Sequence, residues 1–313
     1  MPHRLYAKHL KPMSDDTRLY LIDASIYVFR SWFALSDTVR DSKGQPANAV
    51  YGFCDFVLRL LNQVKPAHIV FAFDESLDTS YRNDIYPPYK ANRDPAPEEL
   101  KSQFAQCREF LAATGLSEIA SNYYEADDLI GTLAHQAHQR GQSVVIVSRD
   151  KDLTQLLEGD DIWWDYGQDL KLGCQGVFDK FGVLPKQIPD MLAIAGDPVD
   201  NIPGVPGIGP KTATELIRHF NSIDRLLAEV DRISDIGIRG AQRIEGLVRE
   251  YRETIKLSHR LATIYKDVSL PETFNAQLSE ADTDQLEALF TLLGFGAYRK
   301  RQWADCLATL LAI

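Results

Sequence analysis

Nine acidic residues in five groups carry the chemistry this 313-residue chain offers: Asp23, Asp74, Glu125 with Asp127 and Asp128, Asp150 with Asp152, and Asp197 with Asp200. Taken singly, each has an ordinary structural explanation. Acids in the first turn favour a helix N-terminus, and aspartate after a strand is a common turn residue. Gathered round one crevice, however, nine like charges would repel and raise one another's pKa unless cations offset them. The donors are all oxygen, with no His or Cys at ligand spacing, which selects hard ions such as Mg²⁺ or Mn²⁺ over Zn²⁺. Two such ions, roughly 4 Å apart, could activate water on one side of a phosphodiester and stabilise the leaving oxygen on the other. Phosphate-ester hydrolysis is the expected chemistry.

The acids can meet only if the fold brings them together. Arg18 to Ile22 (RLYLI), His68 to Phe73 (HIVFAF) and Ser143 to Ser148 (SVVIVS) are short, apolar and rich in β-branched or aromatic residues, which suits buried parallel strands. Asn48 to Val64, Glu98 to Thr114 and Ala126 to Arg140 have helical length and period. Strands alternating with helices predict an α/β domain with a mostly parallel sheet flanked by helices, over residues 18–183. Each predicted strand runs directly into acids. In an open parallel sheet the carboxyl ends of the strands form the ligand crevice, so acids distant in sequence are expected on one edge.

From Leu184 the β signal fades. LPKQIPDMLAIAG, IGPKTATELIRHF and Arg239 to Ile264 predict a helical region over 184–270. A C-terminal segment, 271–313, holds the amphipathic stretch Thr283 to Leu293 and then the basic run Arg299 to Arg301. Residues 1–17 lack periodicity and read as a flexible leader, with Met13 a candidate natural start.

No run approaches the roughly 18 apolar residues of a membrane span, and no secretion signal is evident, so the expected compartment is the cytoplasm, with no membrane partner. Cys54, Cys107, Cys174 and Cys306 are scattered without CxxC pairing, against both a zinc knuckle and a disulfide framework. His135 and His138 form an HxxH expected on the solvent side of its helix. The net charge of −10 opposes a nucleic-acid partner at first sight. A carboxylate cluster neutralised by divalent ions would still leave basic patches to meet phosphate.

Two loops supply such patches. Gly204 to Thr212 (GVPGIGPKT) resembles a triphosphate-binding loop, but Pro210 separates Gly209 from Lys211 and no strand precedes it. It reads instead as a hairpin between helices, in which Gly207 and Gly209 let the backbone approach a phosphate, the next helix offers N–H groups, and Lys211 and Thr212 stand at its start. A plain helix-to-helix turn explains the glycines equally well. Segment 76–97 places Tyr81, Arg82, Tyr86, Tyr89, Lys90 and Arg93 among four prolines beside Asp74. Aromatics interleaved with bases suit single-stranded nucleic acid; a solvated loop is the alternative.

The ordered motifs LIDAS, FAFDES, YPPYKANR, YEADDLIGTLA, VSRDKDLTQLL and AGDPVDNIPGVPGIGPKTA resemble those of the 5′-nuclease superfamily, the 5′→3′ exonucleases and flap endonucleases, over about Arg18 to Leu293. The likeness is to the 5′-nuclease domain of bacterial DNA polymerase I and its stand-alone relatives. It implies a PIN-like α/β nuclease domain, a helix-three-turn-helix DNA clamp around Gly204 to His219, and an arch around Tyr81 to Arg93 that admits a 5′ end. Carried over, Asp23, Asp74, Glu125, Asp127 and Asp128 form an inner metal site, and Asp150, Asp152, Asp197 and Asp200 an outer one. Asp74, Glu125, Asp127 and the arch lysine Lys90 would be catalytic. Tyr81, Arg82, Tyr89, Lys90, Arg93, Gly207, Gly209, Lys211 and Thr212 would contact DNA. The resemblance also implies two Mg²⁺ or Mn²⁺ ions, K⁺ at the glycine-rich turn, and a monomer acting on 5′-flap, nicked or 5′-ended duplex DNA. The products would carry 5′-phosphates, with polymerase and ligase acting downstream. A DNA-junction binding module with little catalysis, and an RNA-directed nuclease, are the competing readings.

Overall fold

In the computed structural model, residues 18–75, 80–271 and 275–312 are described. The predicted leader and positions 76–79 of the predicted arch lie outside them. Strands β1 (Leu19–Asp23), β2 (His68–Asp74), β3 (Ser117–Ser121), β4 (Val144–Val147), β5 (Ile162–Asp165) and β6 (Leu170–Leu172) form one sheet in the order β3-β2-β1-β4-β5-β6. All neighbours pair parallel except β6, which is antiparallel to β5. The chain winds outward from β1 in both directions, so the strand order reverses between β1 and β4. That is the switch point where such sheets open a crevice.

Helices α1 (Ala24–Ala34), α2 (Asn48–Val64), α3 (Tyr81–Ile85), α4 (Glu98–Ala113), α5 (Ala126–Gln139) and α6 (Cys174–Phe181) accompany the strands. They are followed by α7 (Ile188–Ala195), α8 (Pro210–Phe220), α9 (Ile223–Ala228), α10 (Ala241–Glu250), α11 (Arg252–Ala262), α12 (Thr283–Leu292) and α13 (Ala297–Leu311). Side chains alternate across a strand. Tyr20 and Ile22 therefore join α1, α2, α4, α12 and α13 in one core, while Leu19 and Leu21 join α5 and α7 to α11 in the other. The helical region does not carry a core of its own; it covers a face of the sheet.

Three features were not predicted. The strand β1 passes into α1 with Asp23 as its N-cap and no intervening turn, so no break in the sequence marks the helix. Strands β3, β5 and β6 are too short or too polar for a periodic signal. The basic run Arg299 to Arg301 lies within α13, whose Trp303, Cys306, Leu307 and Leu310 pack into the α2/α4 core. One expectation is corrected: His138 is half-buried, with Nε2 2.7 Å from Asp161 Oδ2, whereas His135 is exposed as expected. Among the described residues no helix is long and apolar enough to cross a membrane.

Candidate active site

The carboxyl edge of the sheet brings together acids from all five groups. Asp23 ends β1, and its Oδ2 accepts from Ser148 Oγ at 2.7 Å, bridging to β4 across the switch point. Asp74 ends β2; its N–H donates to Ser25 Oγ (2.9 Å) and its Oδ1 accepts from Ala126 N–H (2.8 Å), which fixes the start of α5 against the sheet. Glu125 is the N-cap of α5 and Asp127 lies in its first turn. After β4, Asp150 Oδ1 accepts from Asp152 N–H at 2.8 Å. Asp197 and Asp200 sit on the loop after α7, closed by two backbone hydrogen bonds between Asp197 and Ile202.

Burial, reinforced by neighbouring acids, raises most of these carboxyls. Asp23 is pushed up to about 7 by burial, then by Asp74 and Asp150. Asp152 also reaches about 7, through burial and Asp150. Asp74, Asp127 and Asp150 move the same way, burial again leading. Glu125 goes down to about 2: burial would raise it, but the charges of Lys90 and Arg82 and the hydrogen bonds from Lys90 and Tyr89 outweigh it. Asp197 is likewise lowered, its burial outweighed by Lys151. Lys90 Nζ stands 2.8 Å from Glu125 Oε1, and Lys151 Nζ 2.7 Å from Asp197 Oδ2. Asp152 Oδ1 is buried without a hydrogen-bond donor, although Lys151 Nζ is 3.2 Å away.

These shifts make stability depend on pH. Asp23 and Asp152 hold protons in the folded state that the unfolded chain has already released, so their contribution is full below about pH 4 and is lost as pH rises towards 7. Glu125 acts oppositely, its contribution disappearing as pH falls towards 2. In chelator, the melting temperature is expected to be lower at about pH 7.5 than at about pH 5. A melting temperature that climbs over that interval would contradict the crowded-carboxylate account.

Three expected site residues are placed differently. Asp128 is fully buried with both oxygens occupied: Oδ1 by Arg82 Nη2 (2.8 Å) and Tyr265 N–H (2.9 Å), Oδ2 by Arg82 Nη1 (2.8 Å) and Glu125 N–H (3.1 Å). Arg82, only 2% exposed, also reaches Glu125 Oε2, Leu261 O and Thr263 O. A bidentate pair so enclosed leaves Asp128 no free lone pair to face the crevice and gives Arg82 no access to a phosphate. Tyr89 is 3% exposed, with its ring in the core. Only its hydroxyl reaches the site, 3.1 Å from Glu125 Oε2 and 3.3 Å from Asp200 Oδ2. Burial removes it from any stacking role.

Lys90 and Arg93 do present charge to the acids, Arg93 Nη2 lying 2.5 Å from Asp200 Oδ1. Tyr81 begins α3 in contact with Tyr123, Tyr124 and Tyr265. Two cavities flank the acids. One of about 690 Å³ is lined by Asp150, Asp152, Asp197 and Asp200; the other, about 840 Å³, by Asp74, Lys90, Arg93 and Glu125. Both are walled by Phe29 and Phe33 of α1, and Phe33 is 80% exposed. No break in the sequence marks this wall, because α1 follows β1 directly; the spacing of Phe29, Trp32 and Phe33 at i, i+3, i+4 is its one local signal.

The glycine-rich segment joins α7 to α8. Gly204 has φ +57°, and a Cβ there would lie 2.3 Å from Gly196 N, so two backbone stretches touch where no side chain fits. Gly207, at φ +83°, lies under Arg243, a base the sequence reading did not single out. Gly209 is the extended N-cap of α8 with open space above it, followed by exposed Lys211 and half-buried Thr212.

A doubly wound sheet with carboxylates at its switch point thus lies beside a glycine-rich turn that leads into α8, whose first turn carries the exposed Lys211. Family models described as "5'-3' exonuclease, N-terminal resolvase-like domain" and "5'-3' exonuclease, C-terminal SAM fold" match residues 18–182 and 183–284, and the chain belongs to this 5′-3′ exonuclease family. It is 37% identical to DNA polymerase I of Bacillus caldotenax over 289 residues, 91% of this chain but 32% of that protein. It thus spans about a third of that polymerase. It is 36% identical over 264 residues to a 5'-3' exonuclease of Aquifex aeolicus, covering 84% of this chain and 85% of the relative. In fold it is similar to zinc-bound T5 5'-exonuclease (TM-score 0.64, 18% identity, 95% and 99% of the two chains). It is also similar to the catalytic core of Rad2 in complex with DNA substrate (TM-score 0.62, 16% identity, 93% and 92%).

Proposed function

We propose that the chain is a structure-specific 5′ nuclease that hydrolyses DNA phosphodiesters at 5′ ends and 5′ flaps with divalent metal, leaving 5′-phosphates. The observation that carries this reading is the convergence of eight carboxylates on one sheet edge, with Lys90 reaching in over them. Asp23, Asp74, Glu125 and Asp127 make up the inner set, and Asp150, Asp152, Asp197 and Asp200 the outer; Asp128 belongs to the Arg82 pair.

As placed, no three of the described acidic, His or Cys side chains close round one point, and two ammonium groups lie among them. The donor chemistry nonetheless fits hard divalent ions. It is oxygen only, it is crowded enough to retain protons near neutrality, and it includes a buried carboxylate oxygen lacking a donor. Mg²⁺ or Mn²⁺, two in the full complement, would supply positive charge against a phosphodiester and its leaving group.

The chain's own residues do the positioning. Lys90 and Arg93, now paired with Glu125 and Asp200, can exchange those partners for the scissile phosphate. Phe29 and Phe33 give the entering nucleotide an apolar wall that excludes water. Lys211, Thr212 and the N–H groups of α8 hold the backbone of the duplex without reading its sequence, with K⁺ at the same turn. We take the working form to be a monomer, with polymerase and ligase acting on its product.

The test is cleavage of end-labelled 5′-flap, nicked and blunt DNA duplexes in Mg²⁺ and in chelator. Metal-dependent cutting near the flap junction is expected. Tight junction binding without turnover in either Mg²⁺ or Mn²⁺ would instead establish a binding module, and preference for an RNA flap would reassign the substrate.

A further inference from the structure

Segment 86–93 and loop 197–202 meet along an edge that the charged pairs do not account for. Lys90 N–H donates to Asp200 O at 3.0 Å. Asn201 Nδ2 reaches across to Pro88 O at 2.6 Å, and Asn92 Nδ2 reaches back to Pro198 O at 2.9 Å. Each side is a closed turn in its own right. Tyr89, Ala91 and Arg93 donate to Tyr86 O, Pro88 O and Lys90 O, while Asp197 and Ile202 exchange both backbone bonds. Pro88 and Pro198 have no N–H to offer, so each turn presents the other with acceptors. The asparagine amides supply the missing donors.

Two further observations give this arrangement a purpose. Lys90 and Asn201 both have left-handed backbone, φ +54° and +56°; asparagine adopts it readily, whereas a lysine keeps it only where surrounding contacts hold it. The other links between the two segments are ionic or run to acids: Lys90 to Asp200, Arg93 to Asp200, and the Tyr89 hydroxyl to Asp200. Those partners are the groups a phosphate or a cation would claim. The asparagine bonds are neutral and run to carbonyls, and neither asparagine is among the residues lining the two cavities. A phosphate or cation that claims the ionic partners does not compete for these carbonyl acceptors.

We propose that Asn92 and Asn201 form a reciprocal clasp that holds the arch turn bearing Lys90 and the loop bearing Asp197 and Asp200 as one unit during cleavage. The proposal rests on the 5′-nuclease reading. Both are positioning residues: they act through Lys90 and the outer acids and touch no reacting atom.

The test uses the full chain with Asn92→Ala, Asn201→Gly and the double variant. Glycine at 201 removes the donor while keeping a left-handed backbone accessible. In hydrogen exchange without DNA or metal, residues 86–93 are expected to exchange faster in the variants than in the wild type; unchanged protection overturns the clasp. On a 5′-flap duplex with Mg²⁺, kcat is expected to fall about tenfold in each single variant and by less than the product, under about 100-fold, in the double, because the two act as one unit, with KM within about twofold. A raised KM at full kcat, or no change, overturns the positioning role while leaving the nuclease reading intact. A wild-type chain that cuts no flap removes that reading, and the clasp's part in cleavage with it.

Discussion

Replacing Asp74 by Asn is expected to lower divalent-metal-dependent cleavage of a 5′-flap substrate by about 10²–10³-fold while leaving DNA binding in place. The asparagine carbonyl can still accept from Ala126 N–H, as Asp74 Oδ1 does at 2.8 Å, so the end of β2 and the start of α5 stay joined. What disappears is one negative charge in a cluster that burial and repulsion already disfavour, Asp74 itself being raised by burial and by Glu125. Stability is therefore expected to hold or rise as activity falls, a trade typical of sites that concentrate like charge. Purified variant, melting curves and flap assays decide it. Cleavage at the wild-type rate would remove Asp74 from the catalytic set.

Replacing Arg82 by Met is expected to cost about 3–5 kcal/mol of folding stability, the largest such effect for a single residue of this site. Arg82 satisfies five acceptor atoms at once: both oxygens of the fully buried Asp128, Glu125 Oε2, and the carbonyls of Leu261 and Thr263. Methionine keeps much of the length and apolar stem but leaves a buried carboxylate without its cation. Denaturant unfolding with the slope checked for two-state behaviour measures the loss. Adding Asp128→Leu to Arg82→Met should recover part of it, since removing both charges is far less costly than removing one. A loss below about 1 kcal/mol for Arg82→Met would mean the pair is solvated rather than enclosed.

The position of Arg82 explains why segment 81–93 was only partly legible. In the sequence it sits among tyrosines and bases, and composition alone groups it with residues that meet phosphate. Its environment depends on two distant segments, 125–128 and 261–263, that no local pattern connects. Tyr89 follows the same logic: beside Lys90 in the chain, its ring is buried in the core while the Lys90 ammonium reaches Glu125. Asp128, one residue from Asp127, falls on a different side of α5, since a helix turns about 100° per residue.

What the chain determined by itself was the α/β pattern, its change to helices near Leu184, and the run of each long strand into acid, because apolar period and strand-end position are local properties that survive without knowledge of the partners. The ordered motifs added the family. Tertiary structure alone decided which of the nine acids share the crevice, which bases are spent on internal pairs, that α1 walls the cavities, and that two asparagines join segment 86–93 to loop 197–202. Those outcomes turn on burial and on contacts between segments far apart in sequence, where the energy of a charge or an amide is set by its surroundings rather than by its neighbours in the chain.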